Sequence, residues 1–189
     1  MPTWPEVVRA VDAAWRLARG DASAIGRFEL SVDGFWKSFA AALVVAPAYV
    51  LVLLDQYHLA GWPSEPWATA FVEGLGYVIG WMAFPLAAIP LTRLLGLSER
   101  YVPLIVANNW STVIQVAVYT MVVILGLILP QPMRTTALLT ATLAILVYQW
   151  FVIRSALGTT SSIAAGLVVI DLLLSVTVSR VLDGVLLSG

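Results

Sequence analysis

Cysteine is absent and histidine occurs once, as His58, so disulfides, thiolate chemistry and the usual zinc or haem ligand sets are excluded from this 189-residue chain. Charge is scarce as well. Only 11% of the residues are charged, against about a quarter in soluble domains. Ten basic residues set against eleven acidic ones leave no patch able to neutralise a run of phosphates. Nucleic acid is therefore not an expected partner, no cofactor is expected, and the only metal site left open is a carboxylate-only one. No Ser-His or Cys-His pair, acidic dyad or His-Glu-x-x-His run offers an enzyme a starting point.

Apolar residues fill the space that these absences leave, at 60% of the chain. From about residue 36 to residue 187 they form a train of runs, each long enough to cross a bilayer about 30 Å thick. The expected fold is all-α: a polytopic transmembrane bundle of five spans, at residues 36–54, 68–91, 103–129, 135–152 and 163–186, behind an N-terminal amphipathic interfacial helix. Residues 1–35 are expected to form a cytoplasmic helix and tether, and residues 36–189 the membrane domain. The first 35 residues hold no apolar core of the kind a cleavable signal peptide needs, so the first span is expected to serve as its own insertion signal.

Charge decides the threading. Arg9, Arg16, Arg19, Arg27, Lys37, Arg93, Arg100 and Arg154 fall on one side of this arrangement and only Arg134 and Arg180 on the other, which predicts a cytoplasmic N-terminus and a C-terminus outside. Trp36 and Trp150 then sit at inner ends and Trp62 and Trp67 at the outer side, as headgroup-level anchors. Short joints and many Ala and Trp residues suit a bacterial inner membrane.

Thr3 and Glu6 have capping-box spacing, and Trp4, Val8, Val11 and Trp15 recur at helical spacing before Gly20. Arg9, Arg16 and Arg19 fall on other faces. Such a helix suits the headgroup surface of the bilayer, a partner subunit, or the chain's own inner loops. Deeper in, Asp171 lies roughly 12 Å into the hydrocarbon, where a carboxylate costs on the order of 3 kcal/mol, so partners are expected. Asn108, Thr112 and Gln115 line one side of the third span, and Gln149 in the fourth lies within reach. These five residues form the expected polar cluster, read either as hydrogen bonds that hold three helices in register or as a relay or polar pocket. Gly76 and Gly80 make a GxxxG pair for close helix packing. Glu73 is shallow enough to reach headgroups, and Arg180 and Asp183 are spaced to pair.

Five spans after a cytoplasmic N-terminal segment, with short joints, resemble the Yip-domain family of small membrane proteins. The Asp-Leu-Tyr-Gly-Pro element of eukaryotic members is absent, so the resemblance implies a distant bacterial type and does not carry over their trafficking role or GTPase partners. The expected function is a non-enzymatic structural or accessory subunit, assembling with itself or with a larger membrane complex through helix faces. The alternative is a small, oligomeric transporter or channel built on the Asp171 cluster.

Overall fold

A computed structural model describes residues 1–188, with side chains described through residue 184. The described residues hold seven α-helices and no strand: α1 (Trp4–Ala18), α2 (Val32–Ser38), α3 (Ala40–Ala60), α4 (Pro66–Leu94), α5 (Tyr101–Gly126), α6 (Gln131–Leu157) and α7 (Ser161–Ser188). Five segments are long and apolar enough to cross a membrane, α2 and α3 together forming the first. The chain is an all-α membrane bundle. Helical backbone pairs most of its own polar groups, as hydrocarbon demands.

Four of the five segments overrun the spans expected from hydropathy, whereas α5 stops at Gly126, short of the expected residue 129. α3 continues past Leu54 because Asp55, Gln56 and Tyr57 do not break a helix, and it stops at Gly61, whose φ of +104° an L side chain rarely adopts. α6 runs beyond Val152 through Ile153, Ala156 and Leu157, all buried, to a left-handed cap at Gly158. Only the apolar middle of a helix is visible to hydropathy.

Around the bundle the packing order is α3, α5, α6, α7, α4, since α5 lies between α3 and α6, and α7 between α6 and α4. Side chains close the ring between α4 and α3: the Tyr77 hydroxyl donates to the Ala42 carbonyl at 2.5 Å. Gly76 is buried against α7, where a Cβ would lie 2.2 Å from Leu182 Cδ1. Gly80 has no neighbour within 4 Å of such a Cβ, so of the two glycines only Gly76 makes a close approach within this chain. Trp110 is buried and Trp81 packs against the same core, filling gaps between helices. Pro85 is buried inside α4, and its carbonyl accepts a hydrogen bond from the Tyr101 hydroxyl at 3.1 Å.

At the end of the bundle that gathers most of the arginines, α1 docks on α5 and α6. Its buried residues are Ala10, Ala13, Ala14 and Leu17, packed with Val106, Ala107 and Trp110 of α5 and Val152 and Ala156 of α6. Trp4, Val8 and Trp15 remain exposed, and Val11 is partly buried at the edge. The seam is thus made of alanines, not of the Trp and Val stripe that hydropathy singles out. Small side chains let α1 come close enough for the Tyr148 hydroxyl to donate to the Ala14 carbonyl at 2.7 Å. Where the sequence reads a tether, a 3-10 turn (Ala22–Arg27) and α2 fold back, with Ala24 and Phe28 buried in the same cluster. Asn109, next to the expected Asn108, donates to the Ser38 hydroxyl at 2.9 Å and ties α5 to α2 with both side chains buried.

Glu6 pins the start of α1. It accepts from the Thr3 backbone N–H at 2.5 Å, the Thr3 hydroxyl at 2.8 Å and the Lys37 ammonium at 3.0 Å. The Thr3 backbone hydrogen bond above all, with Lys37 next, lowers its carboxyl from the ordinary 4.5 to about 2. A depressed folded value gives stability that is present above the ordinary value and lost as pH falls toward the folded one. Amide-exchange protection of residues 4–10 should therefore hold from neutrality to about pH 5 and fall between about pH 4.5 and pH 2, and Glu6→Gln should remove that step.

Candidate functional site: an acidic cavity inside the bundle

The centre of the ring is a cavity of about 610 Å³. Asn108, Thr112 and Gln115 reach its wall from α5, Gln149 from α6 and Asp171 from α7, so the five polar residues expected to cluster all border one space. Ser175 and Ser179, one and two turns on from Asp171 along α7, line the same wall. Tyr119, one turn beyond Gln115 on α5, borders a second cavity of about 260 Å³ instead.

Hydrogen bonding within the cluster is sparse. Gln149 Nε2 donates to Asp171 Oδ2 and joins α6 to α7. The Thr112 hydroxyl donates to the Asn108 carbonyl of its own helix at 3.0 Å, and Asn108 Oδ1 is buried without a partner. Among the described residues, then, one bond within the cluster crosses between helices, which is thin for a register lock. The α5 amides and hydroxyl line a space rather than bridge it.

Two further carboxylates border the cavity. Glu73 of α4 does not reach for headgroups: it accepts from the Tyr49 hydroxyl at 3.1 Å and the Tyr57 hydroxyl at 2.7 Å, both on α3. Two phenols within reach satisfy a carboxylate at less desolvation cost than leaving it bare in hydrocarbon. Asp183 also lines the cavity and makes no ion pair with Arg180. Packing of α7 on α4 at Gly76 and Leu182 turns the neighbouring Asp183 inward. Among the described lining residues three are carboxylates and none is Lys, Arg or His. Tyr49, Tyr77 and Trp81 add aromatic rings to the same wall.

Along α7 the cavity extends from Asp171 to Asp183, about 18 Å at 1.5 Å per residue. Asp183 is exposed at one end. Beyond Asp171, toward the arginine-rich end, Phe84, Leu104, Ile105, Ile153, Leu157 and Leu167 fill the bundle as one apolar cluster. The space is a well with a sealed floor. Among the described residues no group of three or more His, Asp or Glu side chains is placed to hold a metal ion. In comparisons with known proteins, no family model matches the chain, and no curated protein or solved structure is significantly similar to it.

One ion pair was not legible in the sequence, which places both partners in joints. Asp55 on α3 and Arg134 on α6 form a salt bridge with side chains only 10% and 8% exposed. Gly126 leaves room for the Arg134 stem, since a Cβ there would lie 3.0 Å from its Cγ. The signal available was an acid and a base at the same predicted depth. Breaking a buried pair leaves an uncompensated charge, whereas replacing both partners by apolar groups is close to neutral. Asp55→Leu and Arg134→Met should each lower unfolding stability in detergent by roughly 3–5 kcal/mol, and the double variant should recover most of that loss.

Proposed function

We propose that this membrane protein binds and conducts a small cation, protons included, through the acidic well, acting as a carrier or channel without bond chemistry. The observation that carries the reading is the makeup of the well: five helices contribute to one cavity whose charged lining residues are all acidic. An intramembrane carboxylate with a single amide donor, Asp171 with Gln149, stands ready for a proton or a cation. Aromatic faces at Tyr49, Tyr77 and Trp81 suit the same charge. The Glu73 carboxylate, shared with two phenols, forms a second acidic station nearer the open end.

Orientation follows from charge. With eight basic residues on the side of α1 and two on the other, the amino end is assigned to the cytoplasm, and the well opens outward. Ala- and Trp-rich composition with short joints supports a bacterial cytoplasmic membrane. The likeness to Yip-domain proteins rests on the same five-span threading, and nothing in the well depends on it. An accessory subunit that assembles through its helix faces is the second reading. It ranks lower because it gives the cavity nothing to do.

Reconstitution tests the leading reading. Proteoliposomes should show flux of protons, sodium, potassium or methylammonium above empty vesicles, and Asp171→Asn should cut that flux at least about tenfold while size-exclusion and circular-dichroism profiles stay unchanged. Glu73→Gln should reduce it less. No flux of any of the four probes, or flux indifferent to Asp171→Asn, would overturn the proposal.

A further inference from the structure

α1 carries three distinct faces, and the bundle occupies only one of them. At about 100° per residue, Ala10, Ala13, Ala14 and Leu17 form the docked face. Trp4, Val8 and Trp15 form a second, with relative exposures of 76%, 49% and 52%. Arg9 and Arg16 lie on the third, and Arg19 caps the helix beside the ridge. Arg16 is held by Asp12 at 3.0 Å, while Arg9 and Arg19 have no carboxylate partner among the described residues.

We infer that the Trp4, Val8 and Trp15 ridge is seated in the headgroup layer of the membrane that holds the bundle, and that Arg9 and Arg19 bias that seat toward anionic lipid. Three observations fix lipid as the occupant. First, the ridge belongs to a helix whose docking partners are themselves membrane-crossing helices, so it cannot leave the bilayer surface without undocking. Second, α6 exposes Leu143 and Val147 on turns neighbouring the Tyr148 and Val152 contacts, so the apolar ridge continues an apolar lipid-facing surface. Third, Trp36 at the same end is 66% exposed, a further ring at the level that amphipathic side chains prefer. Tryptophans beside unpaired arginines are complementary to an acyl boundary beneath phosphates.

The geometry makes neighbouring residues report different surroundings. Val8 belongs to the ridge and Arg9 to the cationic face, one residue apart in sequence and about 100° apart around the helix. Because the chain has no cysteine, Val8→Cys and Arg9→Cys each give a single reactive site in the full-length protein. In nanodiscs of mixed phosphatidylglycerol and phosphatidylcholine, a membrane-impermeant maleimide should modify Cys at position 8 at least about tenfold more slowly than at position 9. An NBD fluorophore at position 8 should be quenched more strongly by nitroxide-bearing phosphatidylglycerol than by nitroxide-bearing phosphatidylcholine at equal mole fraction. The double change Arg9→Gln with Arg19→Gln should equalise the two lipids without exposing position 8. Equal maleimide rates at positions 8 and 9 would overturn the inference. So would protection of position 8 that rises with protein concentration in lipid-free detergent, which would assign the ridge to a second copy. Equal quenching by the two lipids in the unaltered helix would remove the anionic bias.

Discussion

A carboxylate inside hydrocarbon must find its partners within the protein, and this constraint organises the bundle. Each of the three acids at membrane depth meets it differently. Asp55 takes a guanidinium from α6, Glu73 takes two phenols from α3, and Asp171 takes one amide from α6 and otherwise faces open space. All three solutions join helices. Asp55 keeps Oδ1 buried without a partner, whereas Asp171 borders the open space of the well, and that access sets Asp171 apart.

The same contacts explain why a cavity persists in a ring of five helices. Apolar packing alone would draw α3 and α4 together, because close packing is what protein interiors favour. Instead, tyrosines 49, 57 and 77 span the gap, each ending in a hydrogen bond across it. On the opposite flank Gly76 lets α4 close directly on α7. Long polar struts on one side and a small residue on the other give the well its asymmetry, and the apolar cluster around Phe84 and Leu104 closes its floor.

The sequence made the crossings legible because hydropathy is a long-window signal that survives local error. It also made the inner polar cluster legible, because Asn108, Thr112 and Gln115 repeat at helical spacing and Asp171 is conspicuous in an apolar run. Pairings between helices were another matter. Asp55 with Arg134 and Glu73 with Tyr49 and Tyr57 depend on which helices become neighbours, and a one-dimensional pattern does not contain that. The α1 seam was hidden for a related reason: large apolar and aromatic side chains dominate an amphipathic pattern, yet close docking selects the smallest side chains. The Trp and Val stripe, which suited the bilayer surface, a partner or the inner loops alike, is the face that the bundle leaves open.

α5 links the two ends of this structure. On one side of it Val106, Ala107 and Trp110 receive α1, and on another Asn108 and Thr112 line the well. It also contributes Leu104 and Ile105 to the apolar floor. These residues fall within about three turns of one helix, and an α-helix is stiff over that length. Under the proposed conduction, an ion passing Asp171 would need the apolar cluster of Leu104, Ile105, Ile153 and Leu157 to part, and a shift of α5 there would carry the α1 seam with it. On that reading, the inferred seat of α1 in the headgroup layer would bias the opening of the floor through the α1–α5 seam.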